Sequence, residues 1–493
     1  MASLSFGRNL ALFAQEAPDR PFVTHNERTW TAAEFHRWTN QLARVYQGLG
    51  IRRNDMVTIA LPNGAEFLAA AWACWKAGAI PQPVSARLPK IERDAIIEVA
   101  NAKLVVGTSE PAANGAPTLP TGFVPGDDID DSDLPDIVAD AWKAPTSGGS
   151  TGRPKLIVAS SPPMYDFETS MLNEADNSWL LQENYGNHLV VGPLYHNGPF
   201  IFCIQHMLKR AHVVVADRFD AEQCLALIER YRTNWMMMVP TMMHRIWRLD
   251  PAVRERYDLS SLKVLLHLAA PCPPWLKVKW IEWLGADRIY ELMGGTEGTG
   301  VTWITGSEYL THMGSVGRLR PGSSMRIVRE DGTDAEPGEV GEVFFLPDGG
   351  QGSTYRYLGA ESKAIAGGWE SLGDMGYVDA EGYLYLTDRR ADMILAGGAN
   401  IYPAEVEAAI ELFPGVRSAV VIGLPDDDLG NRVHAIVDTP AGVDQEKLVA
   451  FLAERLVRYK IPRTFEFTSA GPLRDDAGKV RRSELRKERL AKG

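Results

Sequence analysis

The chain has 493 residues, 45% of them hydrophobic, and its 51 basic and 63 acidic side chains leave a net charge of −12. That length and apolar content allow a large buried core divided over more than one domain. With a negative balance and no basic stripe interleaved with aromatics, a nucleic-acid partner is disfavoured, and any anionic ligand must be captured by local positive features.

Cys74, Cys203, Cys224 and Cys272 are widely spaced, with no Cys-x-x-Cys, so neither a disulfide framework nor a zinc site is indicated. Cys74 and Cys203 sit among apolar neighbours and read as core thiols. The N-terminus lacks a long apolar segment and no later stretch is long enough to span a bilayer, so the expectation is a soluble cytoplasmic protein.

Residues 30–48 carry apolar side chains at helical spacing. They are followed by the strand candidate Met56-Val-Thr-Ile-Ala-Leu61 and a further helix through Lys76. Pro81-Gln-Pro-Val starts another segment, and Lys103-Leu-Val-Val-Gly107 reads as a buried strand. Such alternation predicts α/β layers with a largely parallel sheet. Residues 111–139, rich in Pro, Gly and Asp, read as a surface connection.

From Gly314 to about Asp388 the pattern changes to short strands between Gly, Pro and Asp turns: Met325-Arg-Ile-Val, Gly341-Glu-Val-Phe-Phe and Gly382-Tyr-Leu-Tyr-Leu. That predicts a meander or partial barrel. The last hundred or so residues restart as a small α+β unit, with helices near 403–412 and 444–457 and strands near 418–423 and 433–438.

The run Ser147-Gly-Gly-Ser-Thr-Gly-Arg-Pro-Lys155, followed by Leu156-Ile157-Val158, carries the most chemistry. Backbone N–H groups at Gly148, Gly149 and Gly152, the hydroxyls of Ser147, Ser150 and Thr151, and the charge of Lys155 suit a loop that surrounds phosphate oxygens. It is not a P-loop of the Gly-x4-Gly-Lys-Ser/Thr type. Arg153-Pro154 separates the last glycine from the lysine, Leu156 stands where a metal-binding hydroxyl belongs, and Pro154 spoils the helix start.

This loop resembles the signature of the adenylate-forming enzymes, which include acyl- and aryl-CoA ligases, peptide-synthetase adenylation domains and luciferases. The other family signatures follow in the family's order: Pro193-Leu-Tyr-His-Asn-Gly198, Met293-Gly-Gly-Thr-Glu297, Gly373-Asp-Met-Gly-Tyr377, Asp388-Arg-Arg-Ala-Asp-Met393, Gly397-Gly-Ala-Asn-Ile401 and Gly478-Lys479. The resemblance runs from Trp30-Thr-Ala-Ala-Glu34 to Lys479. It implies an α/β fold with a large N-terminal domain of stacked α/β sheets plus a distorted β-barrel, residues 1–389, holding the ATP and acid sites. A small mobile α+β C-terminal domain, residues 390–493, follows a hinge near Arg390-Ala391.

In this family a carboxylate attacks the α-phosphate of ATP, giving an acyl-adenylate and pyrophosphate, and a thiol then displaces AMP. Charge concentrated on transferring phosphorus calls for cations and aimed donors. The resemblance places Thr151 and Lys155 at the β- and γ-phosphates, Thr296 at the α-phosphate and Glu297 on Mg²⁺, a hard carboxylate for a hard cation. Asp374 is implied to accept the ribose hydroxyls, with Arg389 near the ribose or phosphate.

Lys479 is implied to be the catalytic lysine of adenylation. His196 matches the histidine at the carboxylate entrance of CoA ligases, and Gly397 and Gly398 would line the pantetheine tunnel. Met293 stands where the family has an aromatic residue stacking on adenine; a thioether also packs on a π face, so purine affinity is what this departure touches. At the pivot, where Asp or Lys is usual, this chain has Ala391.

Amino-acid-activating relatives have an aspartate early in the motif after Pro-Leu; Tyr195-His196-Asn197 offers no acidic side chain, which disfavours amino acids. Trp235-Met-Met-Met-Val-Pro-Thr241 lies beside the acyl pocket by resemblance, and strand alternation sends Met236 and Met238 one way and Met237 the other. The loop variant followed by Leu-Ile resembles ligases of bulky polycyclic acids, the bile-acid and terpenoid types, with fatty and aromatic acids still open. The expected reaction is therefore an ATP- and Mg²⁺-dependent ligation of a bulky, apolar carboxylic acid to coenzyme A. The alternatives are loading of a carrier protein's phosphopantetheine and a non-catalytic nucleotide-binding relative. Oligomeric state is not legible, a homo-oligomer included.

Overall fold

In a computed structural model the described residues are 3–147, 154–166, 186–389, 392–396, 399–426, 429–470, 473–475 and 478–492. Gly148, Gly149, Ser150, Thr151 and Gly152 of the phosphate loop, Ala391 at the expected pivot, and Gly397 and Gly398 lie outside them.

The N-terminal layer is organised around the helix Ala65–Lys76, whose sequence AEFLAAAWACWK is apolar apart from Glu66 and Lys76 at its ends. Such a helix must be covered all round, and the helices Phe6–Glu16 and Ala32–Gly48 pack against it. Lys76 at its end is buried, yet its Nζ lies within hydrogen-bond distance of His36 Nδ1 (3.0 Å), the His36 carbonyl (3.0 Å), Thr39 Oγ1 (2.8 Å) and Asn40 Oδ1 (2.6 Å). The helix expected from residue 30 starts at Ala32: Thr31 accepts from the Glu34 N–H while Glu34 accepts from the Thr31 N–H, a capping box. Trp30 stays in the strand Arg28–Thr31 and stacks on Trp38 at 5.5 Å and 17°.

Two sheets follow the α/β pattern. One is parallel, in the order Ile80–Pro83, Met56–Ile59, Leu104–Val106, Thr118–Leu119. In the larger one, Pro21–His25, His212–Val215, Asn187–Val190, Trp235–Met238, Val264–His267 and Ile289–Gly294 run parallel in that order. The change of pattern expected near residue 314 is a change of pairing. Val301–Thr305, Gly317–Leu319, Tyr383–Arg389, Asp374–Val378 and Gly341–Pro347 extend the same sheet by antiparallel pairing.

The segment read as a surface connection also straps the helix Ala32–Gly48. Asp131 and Ser132 carbonyls accept from Asn40 (2.8 Å) and Arg44 (2.8 Å), and Asp133 meets His36 at 2.7 Å.

The C-terminal residues have cores of their own. Ile401, Val406, Ile410, Val421, Val433, Leu448 and Leu452 fill one, between the strands Ser418–Asp426, Gly430–Asp438 and Thr464–Thr468 and the helices Pro403–Glu411 and Gln445–Ala453. Val420, Ile422, Leu424 and Ile436 on the other face pack on Leu473, Val480 and Leu485. The buried Glu407 accepts from Arg474 (2.9 Å), Arg482 (2.7 Å) and the Val421 N–H (2.9 Å). Burial alone would raise its carboxyl, but Arg482 and Arg474 outweigh that and hold it below the ordinary value. Both arginines flank the turn at Lys479, which this carboxylate therefore ties to the helix Pro403–Glu411.

Candidate active site

The carboxyl ends of the parallel strands share one side of the large sheet, where open α/β sheets place their ligands. There the segments after Asn187–Val190, Trp235–Met238, Val264–His267 and Ile289–Gly294 surround a cavity of about 2810 Å³. C-terminal residues including Asp475, Gly478 and Lys479 line it too.

The strands that flank the expected phosphate loop form one wall. Thr146–Ser147 pairs antiparallel with Lys155–Ala159, which sets Ser147 opposite Lys155, and Tyr355–Leu358 pairs on the other side of Lys155–Ala159. That pairing puts Tyr357 opposite Ile157. Lys155 Nζ lies 4.1 Å from the Tyr357 ring centroid, a cation–π contact, and lines the cavity.

Tyr357 also donates to Glu297 Oε1 at 2.5 Å. Burial and the Glu297 carboxylate push its phenol far above the ordinary value, so it stays a donor. Nothing in the motif series pointed to Tyr357. Its place depends on a strand pairing between residues 200 apart in the chain.

Glu297 is 8% exposed and sits in the turn after Ile289–Gly294, closed by the Gly298 N–H on the Gly295 carbonyl at 3.1 Å. A Cβ on Gly295 would lie 2.2 Å from Leu372 Cδ1 and 2.8 Å from Glu297 Oε2, so a larger residue here would displace the ends of both side chains. Thr296 and Met293 line the cavity from the same segment, with Met293 half-buried against Ile327, Val343 and Phe345. Asp374 opens the strand Asp374–Val378, half-buried at the cavity and opposite Arg389 in the ladder. His196 lines the cavity just before the helix Asn197–Leu208, its ring 4.3 Å from that of Tyr195.

Magnesium suits this donor set. Mg²⁺ is held by one or two carboxylates together with substrate phosphates and water. Glu297 is a hard oxygen donor on the wall that Thr296 and Lys155 share. Among the described residues no group of three or more His, Cys, Asp and Glu is arranged to hold a metal by itself.

Where the acyl pocket is expected, Met237 lines the cavity whereas Met236 and Met238 are fully buried. A Cβ on Gly198 would lie 3.2 Å from both Met237 Sδ and Leu268 Cδ1, so glycine here leaves the room Met237 uses.

Lys479 is exposed on a turn in which its N–H donates to Asp475 Oδ1 at 2.8 Å and its carbonyl accepts from the Asp475 N–H at 2.9 Å. Gly478 is buried, at φ +75°, and a Cβ on it would lie 3.4 Å from Thr241 Oγ1 and 3.8 Å from Ala270 Cβ. The turn is therefore seated on the rim formed by residues 241 and 270. An L side chain in this left-handed conformation costs about 1–2 kcal/mol. Gly478→Ala is accordingly expected to slow adenylation by up to roughly five- to thirtyfold as the turn leaves its seat, and to lower the melting temperature by a few degrees at most. Pyrophosphate release and a thermal melt check it, and an unchanged rate would show that the seated turn does not matter.

Comparison with known proteins agrees with this layout. The family model for the AMP-binding enzyme matches residues 10–358, and that for the AMP-binding enzyme C-terminal domain matches residues 405–477. Feruloyl-CoA synthase from Amycolatopsis sp is 32% identical over 96% of this chain and 97% of its own length. The 2-succinylbenzoate–CoA ligase of Bacillus licheniformis is 29% identical over 96% of this chain and 98% of its own. The o-succinylbenzoate coenzyme A synthetase of Bacillus subtilis, solved with ATP and magnesium ion, superposes with a TM-score of 0.84 at 25% identity, covering 98% of this chain and 100% of its own. These matches take in the hairpin, the glutamate turn and most of the small C-terminal unit that close around one cavity, and the chain belongs to the AMP-binding enzyme family.

Proposed function

We propose that the protein is an ATP-dependent acid–CoA ligase whose acid is bulky and apolar. The observation that carries this reading is the convergence of Lys155, Glu297, Asp374, His196 and Lys479, from both ends of the chain, on one cavity. The N-terminal unit is taken as residues 1–389 and the mobile C-terminal unit as 390–493.

The first step joins a carboxylate oxygen of the acid to the α-phosphorus of ATP and breaks the bond to the β-phosphate oxygen, so pyrophosphate leaves. In the second, the CoA sulfur bonds to the acyl carbon, AMP leaves, and the thiol proton goes to solvent or a nearby base. Lys155 and the loop at 147–152 neutralise the β- and γ-phosphates. Lys479 donates toward the α-phosphate and acid oxygens as charge builds on them. Asp374 accepts from the ribose, and Arg389 assists beside it.

Glu297 would hold magnesium, which when bound would supply charge neutralisation at the phosphates. Gly397 and Gly398 would admit the pantetheine arm in the second step, for which the C-terminal unit turns about residues near 391.

Support for a bulky apolar acid comes from the lining by Ile201, Phe202, Met237, Val239 and Leu268, and from the absence of an acidic side chain in Tyr195-His196-Asn197. The named relatives activate feruloyl and succinylbenzoyl groups, both aromatic. The test is incubation with ATP, Mg²⁺ and pooled carboxylic acids, with and without CoA, with products read by mass spectrometry. A CoA-dependent acyl thioester of a bulky acid is expected. Adenylate without thioester would move the acceptor to a carrier-protein thiol, and neither product from a broad pool would sink the ligase reading.

A further inference from the structure

Three lysines are buried in this protein, among the described residues, and two of them are answered in full. Lys76 Nζ lies within 3.0 Å of four polar atoms on one helix, and Lys277 meets the Glu291 carboxylate at 2.6 Å. The third, Lys143, is 5% exposed and lines the cavity. Its ammonium donates to the Asn197 side-chain oxygen and lies 4.6 Å from the Trp142 ring centroid. Among the described residues no carboxylate lies within ion-pair distance of it; Glu297 acts on it only through the longer-range field.

Its backbone is pinned. The Ala159 N–H donates to the Lys143 carbonyl at 3.0 Å, and the neighbouring Trp142 N–H donates to the Ser161 carbonyl at 3.0 Å. Trp142 stacks on Phe200 of the helix Asn197–Leu208 at 6.0 Å and 6°. The side chain is thus held between the strand Lys155–Ala159 and the start of that helix, at Asn197, which follows His196 in the chain.

A buried ammonium with one neutral acceptor is costly unless an anion completes it. Burial pulls its pKa down to about 7, against the opposing pull of Glu297, so an arriving anion would restore the charged form. Tyr195, Asn197, Gly198 and Met237, around Asn197 and the strand Trp235–Met238, line the cavity without adding a charge.

We propose that Lys143 binds the carboxylate of the acid substrate, holding it beside His196 for attack on the α-phosphate. This assignment rests on the ligase reading. Nothing in the sequence motifs points to Lys143, because a lone lysine between Trp142 and Ala144 looks like any other.

The test uses the acid that gives most acyl-CoA in the pooled assay, together with its primary amide as a competitive inhibitor. In the intact wild-type enzyme the acid KM is expected to lie well below the amide Ki. In Lys143→Met the acid KM should rise about ten- to hundredfold, the size of one charge-assisted hydrogen bond. The amide Ki and the ATP KM should stay within about twofold, and the melting temperature should hold or rise because an incompletely paired buried charge is gone. An unchanged acid KM in the Met variant overturns the assignment, and so does a rise in ATP KM alone, which would give the cation to the phosphates. A drop in melting temperature with equal losses for acid, amide and ATP would make Lys143 merely structural. Wild-type enzyme that forms no acyl-CoA from any acid defeats the ligase reading itself, a result none of the variant outcomes imitates.

Discussion

Lys479→Ala is expected to lower the rate of adenylation by about 10²–10³, the usual loss when a donor aimed at developing charge is removed. Conversion of a supplied acyl-adenylate to the thioester should continue near the wild-type rate. The lysine enters the cavity on a turn that uses its own backbone for closure, through Asp475 and Gly478. The turn in turn hangs from Glu407 by Arg474 and Arg482. Truncating an exposed side chain at that position leaves those bonds intact, so the melting temperature should not move. Pyrophosphate release for the first step and single-turnover thioester formation for the second separate the two effects. Near-normal adenylation by this variant would remove Lys479 from the mechanism, and equal losses in both steps would make its role one of docking.

Glu297→Gln is expected to reduce adenylation by a comparable factor of about 10²–10³, since it withdraws a preorganised charge from the phosphate site. The amide keeps the shape and can still accept from Tyr357, which isolates the charge as the quantity changed. The magnesium concentration needed for half-maximal rate should rise, and direct titration of Mg·ATP by calorimetry should show weaker binding. Stability should hold or increase, because a carboxylate that is 8% exposed carries a desolvation cost that the amide avoids. Unchanged magnesium dependence together with unchanged Mg·ATP affinity would assign Glu297 to the fold alone.

What the amino-acid sequence by itself determined is whatever depends on contiguous residue types. The family signature at 147–155 needs glycines, hydroxyls and a lysine within a few residues, so the family is legible from it. Also legible are the turn at Glu297 that ends a strand, the Gly373-Asp374 pair where a strand opens, and the glycine-lysine turn at 478–479. Period-two alternation separated Met237 from Met236 and Met238, and the parallel α/β layers followed from apolar strands alternating with amphipathic helices.

Only the tertiary structure decided the partners. Tyr357 reaches Glu297 and Lys155 because the strand Tyr355–Leu358 pairs with Lys155–Ala159. Gly478 reaches the cavity because it abuts Thr241 and Ala270. The strands after residue 314 joined the large sheet because Val301–Thr305 turned back on Ile289–Gly294. Lys143 is the sharpest case: as a letter in the sequence it is one lysine among many, and burial against Trp142 and Asn197 makes it a cation in need of an anion. Charge in water is cheap and charge in a dry cavity is expensive, and which of the two a lysine meets is settled by residues far away in the chain.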